Sequence, residues 1–74
     1  MTDPFIREIL IEKNREFRQL YLRHQYFERT LETLPEEMLK TDEGLRQAQQ
    51  LKKKKLHLKD AMQRLIIEYR KKVG

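Results

Sequence analysis

Apolar side chains recur along this chain at alternating spacings of four and three, and no other feature constrains its fold as tightly. Ile6, Leu10, Phe17, Leu20, Phe27, Leu31 and Leu34 fall on the a and d positions of one heptad frame, interrupted by Lys13 and His24. A period of about 3.5 residues is that of a helix lying lengthwise on another helix. Asp3-Pro4 is a suitable start, pairing an acidic cap with a proline whose missing N–H costs nothing in the first turn. Leu34-Pro35 closes the run, because the residue before proline is driven out of the helical region. A second frame follows in Ala48, Leu51, Leu58, Met62, Leu65 and Tyr69, widened by Leu45 and Ile66, with Lys55 as its polar member. Thr41 and Asp42 offer caps for it, and Gly44 is expected to weaken its first turn.

The spacing predicts one helix over residues 4–34, a linker over 35–41 and a second helix over 42–72. Helices of that size are about 45 Å long, too long for so short a linker to recross, so they turn back on each other. The expected fold class is all-α: one domain over residues 1–74, an antiparallel, coiled-coil-like two-helix hairpin. Lys13 fits no apolar layer, which predicts either that its stem snorkels or that the first helix bends or is broken near Asn14. In an antiparallel register that pairs Phe17 with Met62 and Leu31 with Ala48, His24 falls opposite Lys55. The polar interruptions of the two frames then meet in one layer, a device that can fix register at some cost in stability.

A chain of 74 residues buries only about 60% of its unfolded surface. A second copy or another protein is therefore expected to complete the core. Tyr21 and Tyr26 flank the first frame and are the candidate interface residues, with a dimer forming a four-helix arrangement favoured. The formal charge is +5, unevenly placed. Residues 1–34 are neutral, residues 35–45 carry −3 through Glu36, Glu37, Asp42 and Glu43 against Lys40, and residues 46–74 carry +8. The simpler reading of that basic stretch is a solvated face with cations at a helix C-terminus. The alternative is a sequence-independent nucleic-acid-binding protein whose phosphate contacts are Lys52, Lys53, Lys54, Lys59, Arg64, Arg70, Lys71 and Lys72. Against it, the basic helix holds one aromatic residue, Tyr69, and the heptad frame draws that side chain into the seam rather than onto a stacking surface.

Catalysis finds little support. The chain has no Cys and no Ser, no phosphate-binding glycine loop and no paired-histidine metal motif. His24 and His57 are not spaced as ligands of one ion. A two-helix hairpin is also expected to offer no cleft. No enzyme activity, cofactor or metal is expected. No apolar run approaches the roughly 20 residues that cross a bilayer, and MTDPF is not a secretory start. A membrane partner is accordingly not expected, and the cytoplasm is the expected compartment.

The stretch Leu51-Lys52-Lys53-Lys54-Lys55-Leu56-His57-Leu58-Lys59-Asp60-Ala61-Met62 resembles the K-K-x-K-L-x-L-K-D-x-M segment of the YdcH-like proteins, a bacterial group of small helical domains of unknown function. Arg23-His24-Gln25 resembles the group's basic-His-polar segment, and Asn14-Arg15-Glu16-Phe17 its Asn-Pro-x-Phe turn. The resemblance carries over to His24, Lys52, Lys53, Lys55, Leu56, Leu58, Lys59, Asp60 and Met62. It implies a helical hairpin or small bundle and supplies no activity, cofactor or substrate. Arg15 stands where the group commonly has proline, which favours a first helix that runs through over a separate short one.

Overall fold

The computed structural model describes residues 3–73, which form four helices and, among the described residues, no strand. They are α1 (Asp3–Lys13), α2 (Arg15–Glu32), α3 (Glu36–Leu39) and α4 (Asp42–Val73). The single long helix expected over 4–34 is therefore two helices, and the linker holds a third.

The break falls at Asn14, which takes extended backbone angles (φ −116°, ψ 111°). Its Oδ1 accepts the Phe17 N–H at 3.0 Å, so Asn14 caps α2 and satisfies one of the donors a helix start leaves free. Arg18 seals the other side of the break. Its Nε donates to the Ile11 carbonyl at 2.7 Å and its Nη2 to the Glu12 carbonyl at 2.6 Å. These are carbonyls that the last turn of α1 leaves without helical partners. Lys13 is exposed, and of the two sequence-based alternatives for it, the bend at Asn14 is the one observed. The preference for a continuous first helix, drawn from Arg15 in place of proline, is overturned: an asparagine cap and a returning arginine end a helix without proline.

The heptad frame overran α2 at its C-terminal end as well. The helix stops at Glu32, where the Thr33 N–H and hydroxyl both turn back to the Arg29 carbonyl. Pro35 then opens the single turn of α3 from an extended conformation (φ −62°, ψ 141°). Thr41 caps α4, its Oγ1 accepting the Gly44 N–H at 3.0 Å while its own hydroxyl donates to the Met38 carbonyl at 2.9 Å. Gly44 is buried, and a Cβ at that position would collide with the Met38 backbone. The expectation that Gly44 merely weakens the helix is thus corrected. A side chain there would block the α3 carbonyl from lying against the first turn of α4.

α4 packs along α2 in the opposite direction, while α1 folds across both near the far end of α4. Phe27 lies beside Lys54, Glu28 pairs with Lys55, and Asp3 pairs with Arg70. The main core sits where three helices meet: Ile6 and Leu10 from α1, Phe17 from α2, Met62 and Ile66 from α4. Leu20, Tyr21, Leu65 and Tyr69 pack around it. Toward the α3 end the seam thins to half-buried Leu31, Leu34 and Leu51, with Ala48 the one fully covered apolar residue there among those described. The molecule is a rod of 48 × 19 × 17 Å.

Candidate functional site

Two grooves run along opposite sides of the α2–α4 seam, where the sequence predicted no cleft.

The first groove has a volume of about 600 Å³ and an apolar lining of Leu22, Tyr26, Phe27 and Leu58. Leu22 and Tyr26 are one turn apart on α2 and stand 57% and 67% exposed. The Tyr26 and Phe27 rings meet edge to face with centroids 5.7 Å apart. Lys54 extends over Phe27, its Nζ 5.9 Å from the ring centroid, a favourable cation–π placement. Arg23 and His57 complete the rim. Of the two tyrosines marked by the sequence, only Tyr26 is open. Tyr21 is half-buried against the core, and its hydroxyl accepts the Gln25 side-chain N–H at 2.6 Å.

The second groove, about 490 Å³, contains His24. Lys55, expected directly opposite, lines the same groove, but its Nζ is 3.7 Å from Glu28 Oε1, one turn beyond His24. His24 and Lys55 thus share one groove, with the Lys55 ammonium turned toward Glu28. Lys59 lines the groove as well, and Arg7 enters from α1. Desolvation holds the His24 pKa below the ordinary histidine value; Glu28 opposes that shift, and Lys55, Lys59 and Arg7 reinforce it. The folded protein thus favours a neutral imidazole. Among the described residues no three His, Cys, Asp or Glu side chains converge as a metal site requires.

The lysine run is divided by the helix. Lys52, Lys53, Lys54 and Lys59 are exposed, whereas Lys55 turns into the second groove. Arg64, Arg70, Lys71 and Lys72 are exposed along the last turns of α4, with Arg70 paired to Asp3. Of the remaining motif residues, Met62 is core, Leu58 borders the first groove, Leu56 borders the second, and Asp60 is exposed. The sequence reading missed Arg7 and Glu28 as neighbours of His24, and Leu22 and His57 as neighbours of Tyr26. A signal for two of them was present: Leu22–Tyr26 and His24–Glu28 are both spaced by four on a helix. Arg7 had none, since only the break at Asn14 brings it to the groove.

No helix among the described residues is long and apolar enough to cross a membrane. No protein-family model, curated protein or solved structure matches the chain.

Proposed function

We propose that this protein is a small helical interaction module, a hairpin-like unit of the YdcH-like kind, that associates with a second copy through the Leu22–Tyr26 groove. The observation that carries the reading is the imbalance of its apolar surface. Among the described residues six hydrophobic side chains are buried, while nine large ones stand exposed, Tyr26 the most and Leu22 next together with Leu56. A rod with so little interior gains from covering that flank, at roughly 1.5–3 kcal/mol per large apolar side chain fully buried.

Charge favours a second copy as the occupant. Lys54, His57 and Leu58 lie near the midpoint of α4 (Asp42–Val73). A two-fold axis through the groove and perpendicular to the rod lays the two rods antiparallel, each Tyr26 against the other copy's groove. The α3 end, with −3 over residues 35–45, then comes beside the partner's α4 end, where Arg64, Arg70, Lys71 and Lys72 against Glu68 and the Arg70-paired Asp3 give +2. Opposite tips attract while the apolar flank closes, and a parallel arrangement would set like charges together. The product is a four-helix layer built from two copies of α2 and α4, with α1 and α3 capping its ends.

Sedimentation at protein concentrations from 5 to 500 μM is the test (concentrations chosen as roughly the range of weak homodimers). The expected outcome is a monomer–dimer equilibrium that Tyr26→Ala shifts strongly toward monomer and Tyr21→Phe leaves unchanged. A monomer throughout that range sinks the self-association reading.

A second reading is favoured by the exposed lysines of α4. Lys52, Lys53, Lys54 and Lys59, with Arg64, Lys71 and Lys72 toward the C-terminus, are exposed and can meet phosphates without regard to sequence. Exposed Tyr26 beside Arg23 and Lys54 adds the aromatic that single-strand binding uses. On a duplex, log affinity would then fall against log salt with a slope near −0.9 per phosphate contacted. No binding at low salt removes this reading.

A further inference from the structure

The second groove is a different kind of surface from the first. Three helices bring cations to it: Arg7 from α1, and Lys55 and Lys59 from α4, around His24 of α2. One carboxylate, Glu28, also faces it, and Glu28 is engaged with Lys55. Among the described residues Arg7 and Lys59 have no carboxylate within ion-pairing distance. Two positive charges thus converge on one concavity without compensation. Gln25 and Gln63 add amide donors at its edge, and Met62 and Ile66 provide an apolar floor. Convergence is the point here, because the lysine run as a whole spreads around its helix. Arg7 joins these residues only through the fold-back of α1 at Asn14.

We propose that this groove binds a small phosphate-bearing ligand, with Arg7 and Lys59 as the primary contacts to the phosphate and His24 as a third donor. A phosphate dianion matches two free cations in charge, and the groove's size suits a small organic phosphate rather than a strand laid along a helix. Arginine and lysine supply charge-assisted hydrogen bonds to its oxygens. His24 lies between elements that carry Arg7, Glu28, Lys55 and Lys59, all of which act on its charge. A bound dianion offsets the cations that disfavour the imidazolium, so His24 takes up a proton as the ligand binds. The coupling is read at fixed pH, because a phosphate ester's own second ionisation, at about 6, falls in the range over which histidine titrates. The proposal does not depend on self-association, since this groove lies on the other side of the seam.

The test is proton NMR of the two histidine rings during titration with inorganic phosphate, at fixed pH and with sodium chloride holding ionic strength constant. The His24 ring signal is expected to move along a saturating curve, while His57, outside the groove, stays still. Lys59→Gln and Arg7→Gln are both at exposed positions and should each weaken phosphate binding by about tenfold, the loss of one charge-assisted hydrogen bond. Glu28→Gln should tighten it, a gain that a merely structural role for Glu28 would not produce. Parallel, non-saturating drift of both histidines overturns the proposal. So does an unchanged curve in Lys59→Gln and Arg7→Gln. Binding of a short single-stranded oligonucleotide with His24 unmoved by phosphate also overturns it.

Discussion

Asn14 sets the point at which the first apolar run is divided into two helices. Its side-chain acceptor allows α1 to end and α2 to begin with one residue between them, and Phe17, whose N–H it holds, is fully buried. Replacing it with alanine removes the cap and is expected to cost about 1 kcal/mol. That loss is measurable as a lower denaturant midpoint with an unchanged slope. Gly44→Ala should be more damaging, about 1–3 kcal/mol, because the contact it would crowd is backbone and cannot rotate away. His24 gives a third outcome at this scale. Its folded pKa is depressed, so the unfolded chain binds the proton more readily. Stability is therefore fully present above the unfolded value of about 6.5 and is lost as pH falls below it toward the folded value. Thermal melts at pH 7.5 and 5.5 in phosphate-free buffer should show that loss, and His24→Gln should reduce it.

At the scale of elements, α1 matters chiefly as a lid on Phe17, Met62 and Ile66. Ile6→Ala should destabilise by about 2–5 kcal/mol, since Ile6 is fully buried where three helices meet. Arg70→Ala should matter far less, because the Asp3–Arg70 pair is exposed and such pairs contribute about 1 kcal/mol or less. Urea denaturation of both variants checks the ranking. The existence of helices and the apolar faces they use were legible from heptad spacing: Ile6, Leu10, Phe17, Ala48, Met62 and Ile66, all assigned to the frames, are all buried. The interruption was not legible in the same way. Ile6, Leu10, Phe17 and Leu20 keep one period across Asn14, and periodicity records which face is apolar without recording whether the backbone is continuous. Arg18 decides that question by reaching back to Ile11 and Glu12, and a surface arginine carries no such instruction in its spacing. The candidate site divides likewise. His24, Lys55 and Tyr26 could be marked from their place in the frame. Glu28 could have been marked as well, four residues along the same helix; Arg7 could not, because only the chain reversal at Asn14 brings it to the groove.

At the scale of the whole molecule, the proposed dimer lays two 48 Å rods antiparallel, so that acidic tip meets basic tip and apolar flank meets apolar flank. Added salt should weaken that dimer without abolishing it, because screening acts on the tips and leaves the burial of Tyr26 in place. The chain has no cysteine, so single cysteines can report the arrangement directly. The decisive measurement mixes Glu37→Cys copies with Lys71→Cys copies under oxidising conditions and compares mixed with same-variant disulfides. The antiparallel dimer requires the mixed Glu37→Cys–Lys71→Cys product to dominate, and to disappear when Tyr26→Ala is added. Predominance of same-variant disulfides, or no disulfide-linked species at concentrations where the protein sediments as a dimer, would contradict it.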